Sequence, residues 1–207
     1  MITITKRNVK QVSLATQNVV AIDYLEGAFT DEELKEIDSV LTGNQISLAV
    51  HSHELRQMMA VEELFPQIRI ILSSPIVRDI LIGAAGSAVY DVVKTAICKI
   101  HAALKTKKLT KIQHGEIREN VTPNVHLVSG KVNAILPIDM EDEQFNHFVD
   151  KFFESLKDVD SYHECYVRYN RENDSVDYIT SNDIALESYH HSILRKENSS
   201  SNTETQP

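Results

Sequence analysis

Apolar residues recur along this chain with two periods. Short β-rich runs predict strands: ITIT at 2–5, VSLATQNVVAIDYL at 12–25, ISLAV at 46–50 and IRIIL at 68–72. Helical spacing dominates between and after them. Thr30 with Glu33 three positions later is a capping box, with Asp31 to Glu33 supplying acid to the first turn. That helix should end near Gly43. HELRQMMAVEEL at 53–64 reads as a second helix, with Leu55, Met58, Met59 and Leu64 on its apolar face and Pro66 as its stop. NVHLVSGKVNAILPI reads as a hairpin turning at Ser129, Gly130 and Lys131. KIQHGEIREN before it is a polar candidate strand. After it, Phe145, Phe148, Val149, Phe152, Phe153 and Leu156 form one stripe that should bury against the hairpin. The acidic Asp139, Glu141, Asp142 and Glu143 are expected to cap that helix. YHECYVRYN and SVDYIT, joined by RENDS, read as two more strands, and DIALESYHHSILRK as a short helix.

The longest apolar stretch, residues 73–104, admits three readings. A membrane span needs roughly 18 uncharged apolar residues. Here only Ile80 to Tyr90 is free of charge. A phosphate-binding loop fails as well, because Gly83 and Gly86 make neither GxGxxG nor a GK[ST] sequence. The remaining reading is a buried helix, with Ser74 as its cap and Pro75 at its first position. Val89, Val92, Val93, Ala96, Ile97, Ile100 and Leu104 form its stripe, and Asp91, Thr95 and His101 fall mostly off it. Small residues from Gly83 to Ala88 allow close approach to a sheet or another helix. A contact between subunits would use the same surface, so Ile80, Ile82, Gly83, Gly86 and Tyr90 are the interaction candidates.

The order strand, helix, strand, helix predicts parallel pairing of at least two strands. The expected architecture is a mixed α/β fold. A small mixed sheet is packed by a long central helix and a Phe-rich helix, with an appended β-hairpin and short helix. Residues 1–158 form the α/β core, of which 1–45 are N-terminal strands and a helix. Residues 159–196 form a C-terminal hairpin and helix, and 197–207 a disordered tail.

Composition narrows the function classes. The 207 residues are 42% hydrophobic and 25% charged, with a formal net charge of −9. That balance argues against nucleic acid as a partner, since phosphate binding needs a concentrated positive field. KTKKLTK at 105–111 is the only basic cluster, and it lacks stacking aromatics. Cys98 and Cys165 belong to no metal spacing, and Cys98 lies in the helix pattern as a buried thiol. The N-terminus has no signal-peptide run. A reducing cytoplasm is the expected location, and no cofactor is implied.

Two clusters carry potential chemistry. HSHE at 51–54 falls where a buried strand ends, the edge at which open α/β sheets bind ligands. His51, His53 and Glu54 are metal-ligand types, but a site needs a further ligand from elsewhere. The alternative is that Ser52 or His53 starts the next helix, with Glu54 on its dipole. In HEC, His163 and Cys165 share one strand face while Glu164 points away, a fragment of a zinc deaminase signature without its CxxC. His190 and His191 suit the end of a short helix. No GxSxG or recognisable cysteine nucleophile is present.

Residues 46–156 resemble, in their order of elements, the effector-associated constant component domain of bacterial conflict systems. The resemblance is carried by a short strand before the long helix, GAAGSAVYDVV, a basic helix end, and strand, SGK turn, strand and terminal helix. It implies an adaptor in antiviral defence and assigns no site residues.

The function expected from the sequence is therefore a non-enzymatic, soluble bacterial adaptor that binds a protein partner or a second copy of itself. Two alternatives stand beside it. One is a small metal- or ligand-binding enzyme or sensor using the His-rich strand end. The other is a membrane-active effector exposing residues 76–104.

Overall fold

The computed structural model describes residues 17–53, 67–83, 88–113, 116–157 and 165–180. Its first unit is a strand, helix and strand. β1 (Val19–Leu25) leads into α1 (Asp31–Thr42), and β2 (Ser47–His53) returns parallel to β1. The capping box at Thr30 and Glu33 is formed in both directions. Leu34, Ile37 and Leu41 face the sheet, and the helix ends at Gly43. β3 (Ile68–Leu72) joins the other side of β1, antiparallel to it.

Two further crossovers extend the sheet. From β3 the chain passes through α2 (Ser74–Gly83), α3 (Ala88–Lys105) and a two-stranded ribbon, β4 (Leu109–Gln113) with β5 (Glu116–Val121). β6 (Val125–Ser129) then lies parallel to β3. The loop Gly130–Lys131 joins β6 to β7 (Val132–Leu136), with Ser129 paired to Val132. Gly130 has φ +63°, the left-handed backbone that a glycine-first two-residue hairpin turn requires. α4 (Asp142–Ser155) crosses over to β8 (Cys165–Asn170), parallel to β7, and β9 (Ser175–Thr180) closes the edge. The resulting order is β2-β1-β3-β6-β7-β8-β9. The fold is mixed α/β, and the C-terminal hairpin continues the central sheet.

The four described helices all pack on one face of this sheet. Val20, Ile22, Ile70, Leu127 and Ala134 point into that layer and meet Ile37, Ile76, Ile97, Ile100 and the Phe-rich stripe. Phe145, Phe148 and Phe152 are fully buried. Each such side chain contributes about 1.5–3 kcal/mol by leaving water. The other face holds a smaller buried cluster, Val19, Ala21 and Ala49, with Ile71 against it.

Several local expectations are corrected. The stretch expected to be one long helix contains two described helices, α2 and α3, which touch each other. Helix α2 already includes Ser74, with Val77 N–H donating to the Ser73 carbonyl. The Ser73 hydroxyl accepts from Val19 N–H at 3.0 Å. His101 is 1% exposed, because α4 packs beside the apolar stripe and Phe145 stacks on the imidazole at 3.8 Å. Glu141 precedes α4 but makes no side-chain capping bond. Glu141 and Asp142 instead accept from Lys105 Nζ at 2.9 and 3.3 Å, and Asp139 accepts from Arg171 at 2.7 Å. The basic segment is tied down as well. Lys107 pairs with Glu33 and lies over the Phe29 ring, and Lys108 donates to Thr122. Among the described residues no helix is long and apolar enough to cross a membrane. The segments read as ITIT, HELRQMMAVEEL after its first residue His53, DIALESYHHSILRK and the polar tail lie outside the described residues.

Candidate functional site

Side chains alternate across a strand, so His51 and His53 emerge on one face of β2. That face is opposite the helices, since Val50, the residue before His51, is in the main core. Both histidines belong to the strand, which runs to His53. The expectation that Ser52 or His53 opens a helix is therefore corrected. The register between β1 and β2 sets Asp23 directly against His51, on the same face.

Three potential ligand atoms converge there. His51 Nδ1 lies 3.2 Å from His53 Nε2 and 3.3 Å from Asp23 Oδ1. His53 Nε2 is in direct contact with Asp23 Oδ1. The two imidazole rings meet edge to face, with centroids 4.3 Å apart. All three residues are half-buried. Two ring nitrogens and a carboxylate oxygen aimed at one point repel unless protons or a cation sit among them. Tetrahedral zinc with bonds of about 2.0–2.2 Å separates its ligands by roughly 3.3–3.5 Å. Both contacts of His51 match that spacing. The His53–Asp23 edge is contracted and would open by about an ångström to admit an ion.

The cluster lies at one end of a row, polar except at Ile135, that crosses the described sheet. Taken strand by strand, it runs His51, Asp23, Arg69, His126, Ile135, Arg168 and Asp177. Arg69 is paired in register with Asp23, yet makes no hydrogen bond or ion pair to any described residue. His126 is 6% exposed, and its ring meets Tyr166 edge to face. Burial, reinforced by the Arg69 charge, lowers its pKa to about 4, so it is neutral at pH 7. One register position further along, Leu25 N–H donates to the Gln67 carbonyl. Gln67 is buried. Its Oε1 accepts from Asn124 N–H at 3.0 Å, while its Nε2 has no partner among the described residues.

The other candidates lie elsewhere. Cys165 faces the helix layer on β8, five strand positions from β2. At about 4.8 Å per strand, this places it roughly 24 Å from His51 across the sheet. A site shared by Cys165 with the histidine cluster is thus corrected. Glu54, His163, His190 and His191 lie outside the described residues, as does Gly86. Ile80 and Tyr90 are core residues, 2% and 8% exposed, and are out of a partner's reach. Tyr90 donates to Asp150, which also pairs with Lys94. Ile82, near the Gly83 end of α2, is 76% exposed.

Sequence reasoning missed Asp23, Arg69 and Gln67. A signal was present for the first two: VVAIDYL and IRIIL each place one charge within an otherwise apolar strand. What pairs those charges with the histidines is strand order, which local pattern does not contain. No family model, curated protein or solved structure matches this chain.

Proposed function

We propose that this chain is a metal-dependent ligand-binding protein, an enzyme or sensor, whose centre is His51, His53 and Asp23. The observation that carries this reading is the convergence of two imidazole nitrogens and a carboxylate oxygen, with two separations of 3.2 and 3.3 Å. Two histidines and a carboxylate suit Zn²⁺ and neighbouring first-row ions. Three protein ligands leave a tetrahedral ion one position for a ligand or water, as in catalytic rather than structural zinc sites. An ion held there supplies Lewis acidity to an oxyanion or acidifies a water molecule. The position at a sheet edge, where parallel β1 and β2 both end, fits the general location of ligand sites in open sheets.

The test is metal content by mass spectrometry and calorimetric titration with Zn²⁺. One equivalent should bind the intact chain and be lost in the His51→Ala, His53→Ala double variant, with unchanged circular dichroism. Zinc binding that is absent, or equal in the double variant, removes the reading.

A protein-interaction role is the second reading. It rests on exposed Ile82 and on the resemblance in element order to an adaptor domain. Ile82→Asp should then abolish self-association or partner capture measured by mass photometry. A strictly monomeric chain that captures no partner removes it.

A further inference from the structure

The metal reading leaves two observations unexplained. Arg69 is half-buried beside the centre, and among the described residues no carboxylate pairs with it. Gln67 has a buried amide N–H group without a partner among the described residues. Its orientation is fixed, because only Oε1 can accept from the Asn124 N–H. The two residues are alternate positions along β3 and its N-terminal lead, so both fall on the face that carries Asp23. Cross-strand partners in register have Cβ atoms about 5 Å apart, which puts the Arg69 stem next to the carboxylate. That carboxylate is nevertheless engaged by the histidines.

A buried donor and a half-buried guanidinium are costly when unpaired, and an incoming acceptor relieves both. The acceptor must also fit the open position of the metal. A carboxylate has two coplanar oxygens and cannot give an ion, a guanidinium and an amide one oxygen each. A phosphoryl group has three free oxygens in a tetrahedral array, and forked contacts from arginine are its common partner. The overall charge of −9 makes this local positive field more selective, because anions are repelled from most of the surface.

Resting on the metal reading, we infer that the centre binds a phosphate ester, with one oxygen on the ion and the others on Arg69 and Gln67. Neutral His126, the next residue in the row, borders this position and adds a polar ring without a competing charge.

The experiment loads the full chain with Co²⁺ and follows its visible absorption bands. Inorganic phosphate is then titrated in, with acetate as the comparison anion. Phosphate should change the bands saturably, and acetate should do so only weakly. Arg69→Met should weaken phosphate binding by about ten- to a hundred-fold, the loss of a charge-assisted pair. Co²⁺ affinity itself should stay within about three-fold, since Arg69 is not a ligand. Gln67→Leu should weaken phosphate less, and Arg69→Lys should restore it in part. Phosphate binding that is unaltered in Arg69→Met, or an equal response to acetate, overturns the phosphate assignment while leaving the metal centre intact. Failure of the intact chain to bind Co²⁺ overturns both. Asp23→Ala serves as the control that loses Co²⁺ while remaining folded.

Discussion

Lowering the pH from 7.5 to 4.5 should destabilise this protein through His126. The imidazole is enclosed between strands, with Arg69 on one neighbouring strand and Tyr166 near its edge. Burial first, and then the Arg69 charge, lowers its pKa from 6.5 to about 4. The unfolded chain takes up a proton near pH 6.5, and the folded chain resists until about pH 4. Stability from this group is therefore present above pH 6.5 and is lost as the pH falls toward 4. Within that window the slope approaches about 1.4 kcal/mol per pH unit. Integrated from pH 7.5 to 4.5, the loss is about 2.5 kcal/mol. The assay is urea denaturation at half-unit pH steps, comparing the natural chain with His126→Gln. The glutamine lacks the titration but keeps polarity, so its curve should fall less steeply by that amount. His101, also lowered by burial, contributes equally to both curves and cancels. Parallel curves, or a His126 ring signal titrating near pH 6.5 in NMR spectra, would refute the reasoning.

Three other outcomes follow from the packing. Phe152→Ala removes a fully buried ring from the α4 stripe and should cost about 3–5 kcal/mol in denaturation experiments. Thr30→Ala breaks a capping box present in both directions and should cost about 1 kcal/mol, with Thr30→Ser restoring most of it. Burial pushes the Cys98 thiol up to about 11, and it donates to Asn146 at 3.1 Å. In a Cys165→Ser background, Cys98 should react slowly with Ellman's reagent at pH 8, where little of the half-buried thiol is ionised, and much faster in urea.

Local sequence determined most elements of this protein. The Phe145 to Phe153 spacing specifies a one-sided helix, Thr30 and Glu33 fix a helix start, and Gly130 supplies the turn between β6 and β7. These signals act within a few residues, over the range of hydrogen bonds and side-chain periodicity, and so can be read without the fold. Two of the three residues of the candidate centre were legible in the same way, since His51 and His53 share a face in any strand. Tertiary structure decided the rest. Asp23 meets His51 only because β2 lies parallel to β1 in that register, and Arg69 joins them only because β3 takes the other side. His101 was expected off the apolar stripe, but α4 covers it. Cys165 was grouped with the histidines by residue type, yet four strands and the thickness of the sheet separate them. Strand order is set by how whole faces are buried, a sum over distant residues that no short stretch of the chain carries.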